Sequence, residues 1–178
     1  SAQRTMAGGR VLDPQPPTRG RAHTRRLDYL RGVKTADPAA TLAHLTLTQP
    51  AGVELDPYSR GWNLQPAAVS SLLETSGLEV IGSGDAKLVM NGGHWSAIRS
   101  GVVSALEKWL EENPERAGLE RERLRRQLPL RIAPALLEAA LGALRGGGEV
   151  IVQGPLIALP GHKAQLPPAD QALWNKIR

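Results

Sequence analysis

The chain has 178 residues, a length that fits one ordinary domain or two small ones. With 41% hydrophobic and 22% charged residues it can build a packed core, which excludes wholesale disorder, and the absence of Cys excludes disulfides, thiolate metal sites and a Cys nucleophile. The net charge of +5 is unevenly placed: residues 1–36 carry +6, residues 115–131 carry +3, and the remainder sums to −4.

Two basic zones on an acidic body fit either a nearby polyanion or a basic linker with a solvated helix face. No stretch approaches the run of about 20 apolar residues that a membrane helix needs. Ser1–Arg10 holds no apolar core of a signal peptide, so the expected compartment is the cytoplasm, without membrane contact. Phe is absent, so Leu, Val, Ala and Ile must supply most of the core.

In chain order, Arg10-Val11-Leu12 reads as a short strand between Gly8-Gly9 and Asp13-Pro14, and Pro14, Pro16 and Pro17 prevent any regular element directly after it. A lone strand has no partner here, so residues 1–24 read as the end of an upstream β domain plus a Pro/Arg-rich linker, and the chain as a fragment. Leu27 and Leu30 give Arg25–Gly32 a helical pattern. Asp37-Pro38 opens a helix to about Leu47, because Asp caps and Pro lacks the N–H that would go unpaired there. Asp56-Pro57 opens a short helix to about Trp62. Pro66 opens another, with Val69, Leu72 and Leu73 inward and Gly77 as the stop. Leu78–Ile81 and Lys87–Met90 read as strands joined by Gly82-Ser83-Gly84-Asp85.

The order then repeats. A long helix from about Gly93 to Asn113 lines up Trp95, Ile98, Val102, Leu106, Trp109 and Leu110. Leu119–Leu128 reads as an Arg-rich helix, and Pro134 opens a third that Gly146-Gly147-Gly148 ends. Val150-Ile151-Val152 and Leu156–Leu159 form a hairpin turning at Gln153-Gly154. Pro66 matches Pro134, Gly77 matches Gly147, and Glu79-Val80-Ile81 matches Glu149-Val150-Ile151. Three helices and a hairpin, twice, is the winged-helix pattern. The expected fold is therefore mainly α with small β-hairpins, an α+β class of tandem winged-helix domains. Residues 25–93 form the first, 94–163 the second, and 164–178 begin a third. Val80 and Val150 should be equivalent.

Enzymatic signals are weak. His23, His44, His94 and His162 share no i,i+4 spacing, so a helix-borne zinc pair is excluded, and His44 reads as structural. Gly82–Lys87 lacks the spacing of a phosphate loop and leads into a strand. No catalytic, cofactor-binding or metal-binding residue is expected, and the chain reads as a non-enzyme.

Winged helices commonly place their third helix in a nucleic-acid groove. Yet Pro66–Ser76 has no Lys or Arg, and Pro134–Gly146 has only Arg145. Base and phosphate contacts need such side chains. The cations sit elsewhere, and Arg25, Arg26, Arg121, Arg125 and Arg126 are the candidate RNA-facing residues. Glu122 with Arg126 and Glu120 with Arg123 have spacings that support internal pairs. The Arg-rich helix is thus either a charge-paired face or an RNA-facing one.

Gly9-Arg10-Val11-Leu12-Asp13-Pro14 with Pro16–Arg21 resembles the junction after the third domain of bacterial selenocysteine-specific elongation factors, and Tyr29-Leu30, Glu120–Arg126, Leu159–Ala164 and Ala169–Trp174 resemble parts of their winged-helix extension. The resemblance implies a translation factor that delivers selenocysteyl-tRNA to the ribosome at UGA. It has a GTPase and tRNA-binding part before the extension, and terminal winged helices that bind an insertion hairpin in mRNA. This chain would be the spacer between them. It would be monomeric and would itself hold neither GTP nor magnesium. The competing readings are a tandem winged-helix DNA-binding regulator and a protein-interaction adaptor.

Overall fold

The computed structural model describes Leu12 and residues 24–34, 37–83 and 87–165, the side chain of Arg25 excepted. The expected strand at Arg10–Leu12, apart from Leu12 itself, and the start of a third unit lie outside the described residues. The chain divides into two compact units, Ser1–Asn91 and Gly92–Arg178.

Unit 1 begins with α1 (Thr24–Val33) and α2 (Pro38–Thr48). Asp37 caps α2 as its position suggests: its carboxylate accepts from Ala39 N at 3.0 Å and Ala40 N at 3.2 Å, with Pro38 in the first turn. Next come β1 (Val53–Glu54), α3 (Leu55–Gly61) and α4 (Pro66–Ser76), and then β2 (Glu79–Ile81) and β3 (Leu88–Met90). Gly77 ends α4 in the left-handed conformation, φ 62°, which costs a residue without Cβ little. Val33, Leu42, Leu45, Val53, Leu55, Tyr58 and Val89 form the core, with Leu12, Val69, Leu72 and Leu73 packed against it. His44 abuts Gly32 of α1, so its position is a packing one, as expected.

Unit 2 begins with α5 (Gly92–Glu112), whose buried residues are Ile98, Val102, Leu106, Trp109 and Leu110. Trp95, expected on that stripe, is only partly buried. The remaining elements are β4 (Leu119–Glu120), α6 (Arg121–Gln127), α7 (Pro134–Gly146), β5 (Ile151–Gln153) and β6 (Leu156–Ala158). α7 buries Leu136, Leu137, Ala140, Leu141 and Leu144 and packs against α5. After β6 the chain is tied back to the loop behind α5. His162 Nε2 lies 2.7 Å from the Arg116 carbonyl, and Gln165 N–H donates to Pro114 O at 2.9 Å.

Both units are winged helices, mainly helical with one small antiparallel sheet each. Among the described residues each sheet has three strands rather than the two expected, in the orders β1-β3-β2 and β4-β6-β5. The additional strands are two residues long, too short for an alternating pattern to show in sequence. Their formation also shortens the expected Leu119–Leu128 helix: Leu119 and Glu120 pair with Ile157 and Leu156 instead.

The pairing corrects the expected equivalence of Val80 and Val150. Val80 pairs with Val89, which also pairs with Val53; Val152 pairs with Ile157, which also pairs with Leu119. Val80 therefore corresponds to Val152, and Leu78 to Val150. The exposures agree: Val80 is 41% exposed and Val150 2%. The shared Glu-Val-Ile triplet misleads because α7 is two residues longer than α4 and two more residues precede its strand. The second turn is correspondingly short, Gly154-Pro155 between β5 and β6, one residue beyond the expected Gln153-Gly154. The repeat survives in the order of the elements from α2 onward; α1 is a fourth helix in unit 1, one more than the three expected, with no counterpart among the described elements of unit 2.

Tyr58 locks α3 onto α2 by donating its hydroxyl proton to Pro38 O. Burial, reinforced by the Asp37 charge, pushes the phenol pKa well above its ordinary 10.0. Below pH 10 both folded and unfolded chains keep this proton. Above it the unfolded chain releases the proton first, so stability falls as pH rises. Tyr58→Phe should lose about 1 kcal/mol at neutral pH. It should also flatten the decline above pH 10, as measured by urea unfolding of both proteins across alkaline pH.

Candidate nucleic-acid interface

In unit 1, Arg26 lies over the Tyr29 ring with its guanidinium carbon 4.7 Å from the centroid. Arg31 pairs with Asp28 at 2.7 Å. Arg25 falls in α1, and its side chain lies outside the described residues, as does most of the first basic zone.

The second zone is built on α6. Its seven residues are anchored by Leu124, fully buried, so the arginines at positions 121, 123, 125 and 126 fan out around one fixed point. Arg121 bonds to Glu138 Oε1 of α7 and to Gly154 O in the wing turn, each at 2.9 Å. Arg125 bonds to Glu122 Oε2 at 2.9 Å and reaches Ile132 O at 3.2 Å. These two side chains therefore bind α6 to the rest of the winged helix. The anticipated pairs are replaced: Glu122 takes Arg125 at i+3, and Arg121 turns to α7. The hydrogen bond from Arg125, helped by the charges of Arg125 and Arg126, holds the Glu122 carboxyl below its ordinary pKa.

Arg123 and Arg126 behave differently. Both are exposed, and neither has a carboxylate partner among the described residues. Arg123 lies over the buried Trp109 ring of α5, 5.5 Å from its centroid. The sequence reading missed this residue, although the helical stripe containing Trp109 was visible; the signal would have required knowing how α6 crosses α5. Arg126 projects opposite Leu124 on the helix wheel.

The third helices present little charge. On α4 the exposed positions include Ala67, Ser70, Ser71, Glu74 and Thr75; on α7 they include Ala135, Glu138, Ala143 and Arg145. Gly82 and Ser83 come after a strand and open no helix, so they offer no phosphate loop. Among the described residues no group of three His, Cys, Asp or Glu is placed to hold a metal ion, and no helix is long and apolar enough to cross a membrane.

Residues 103–159, from within α5 to just past β6, match the family model described as "Elongation factor SelB, winged helix". Over 177 residues, 99% of its length, the chain is 28% identical to the selenocysteine-specific elongation factor of Escherichia coli strain K12, and it spans 28% of that relative. The match to the second unit and the similarity along almost the whole chain bear out its likeness to the winged-helix extension of bacterial selenocysteine-specific elongation factors.

Proposed function

We propose that the chain is a spacer in a translation factor that inserts selenocysteine at UGA. It would connect a GTPase and selenocysteyl-tRNA-binding part to winged helices that hold the insertion hairpin of the mRNA, in the cytoplasm and at the ribosome. The supporting observation is the composition of the third helices. A winged helix that reads nucleic acid presents cations and amides from that helix. Here α4 has no Lys or Arg, and α7 has only Arg145 at its end. The same observation disfavours a DNA-binding regulator. Chemistry would then belong to the other parts of the factor, since function resides in particular sites rather than in the fold. GTP and magnesium would bind there, in the part that carries the GTPase.

A chimera tests the proposal. This chain replaces the aligned segment of the Escherichia coli factor, and selenocysteine incorporation at a UGA codon is measured in cells lacking their own factor. Incorporation is the expected result. A soluble, abundant chimera that still binds GTP but supports no incorporation would overturn the spacer reading.

A further inference from the structure

The four arginines of α6 divide into two classes. Arg121 and Arg125 are consumed internally, each by a carboxylate and a backbone carbonyl. Arg123 and Arg126 are three residues apart, which places them side by side on the exposed helix surface. Arg131 is also exposed, in the segment that the Arg125–Ile132 bond draws back toward α6.

We propose that Arg123 and Arg126, supported by Arg131, form a contact surface for the phosphate backbone of RNA. Arg121 and Arg125 serve as staples that hold α6 in place. This inference rests on the spacer reading for its choice of RNA over other polyanions.

The geometry suits phosphates. A guanidinium presents several donors in a plane, and the Trp109 ring already holds the Arg123 guanidinium in place, so less side-chain freedom is lost on contact. Glu138 and Glu122 form ion pairs with Arg121 and Arg125, whereas Arg123 and Arg126 have no ion-pair partner among the described residues, and Arg126 feels the Glu122 charge only at longer range. The surface lies outside the third helix and has no array of amides to read base edges. It therefore recognises backbone charge without sequence preference.

The test uses the whole chain and a fluorescein-labelled RNA hairpin of arbitrary sequence, with affinity measured across salt. Each phosphate contact contributes about 0.9 to the slope of log affinity against log salt. The slope of R123Q/R126Q should be shallower by about 1.8, so a fourfold rise in salt should cost the parent about twelvefold more affinity than the variant. R126Q alone, which leaves the Trp109 stack intact, should lose about half of that slope. R121Q should keep the parent slope and instead weaken protection of the α6 amides from hydrogen exchange. A second hairpin of different sequence should bind equally.

An unchanged slope in R126Q and in the double variant would overturn the assignment, as would a parent that fails to bind RNA at low salt. Equal displacement by polyglutamate and by RNA of matched charge would assign the surface to an acidic protein and overturn it as well. None of these results bears on whether the chimera supports incorporation, so the two proposals fail separately.

Discussion

Gly118→Ala should destabilise unit 2 by about 3 kcal/mol, the upper part of the usual range for overpacking. Gly118 immediately precedes β4, where the backbone runs against β6. A Cβ there would lie 2.7 Å from the Ile157 carbonyl oxygen and 3.2 Å from its carbon. The obstacle is backbone held by two strand partners, Leu119 and Val152, so it cannot swing aside as a side-chain tip would. Relief would require β4 to leave the sheet, and β4 leads directly into α6. Hydrogen exchange of the unit 2 amides in native and mildly denaturing urea measures the loss. A change below about 0.5 kcal/mol, the range of ordinary surface substitutions, would show that β4 does not pack as described.

Leu144→Ala should cost about 3 kcal/mol, whereas Leu73→Ala should cost about 1 kcal/mol, although both are leucines in third helices. Leu144 is fully buried, one of five buried residues along α7. α4 has no fully buried residue; Leu73 is only packed against the edge of the unit 1 core. Truncating Leu144 leaves a cavity in the interior of unit 2, while at Leu73, only partly buried, water already reaches part of the site. Urea unfolding monitored by amide signals assigned to each unit distinguishes the two costs. Equal costs would mean that α4 is anchored as firmly as α7.

Much of this architecture was legible in the sequence because its signals are local. Asp37-Pro38, Pro66, Gly77 and Pro134 mark helix ends through capping and backbone restrictions, and the structure places the ends there within a residue. The α5 stripe was visible because a 3.6-residue period repeats over about four turns, from Trp95 to Leu110. What was hidden depends on partners distant in the chain. A two-residue strand exists only because β3 or β6 lies beside it, and no local preference announces it. Register is likewise set by Val80 meeting Val89 and Val152 meeting Ile157, so an identical triplet placed two residues out of step misleads. The arginines obey the same rule. Their number and sign were readable, but their division into staples and exposed cations depends on Glu138, Gly154, Ile132 and Trp109, all outside α6.

The central claim is that the two units act through their size and shape rather than by reading nucleic acid with their third helices. Selenocysteine incorporation by the chimera tests this most directly when the exposed faces of those helices are altered. Ser70→Gln and Glu74→Gln in α4, with Ala135→Gln and Ala143→Gln in α7, change exposed positions only. Incorporation should stay at the level of the unaltered chimera, while deleting residues 92–165 should abolish it. Loss of incorporation from the four surface changes, in a chimera that accumulates and folds normally, would contradict the claim and show that these helices make a specific contact.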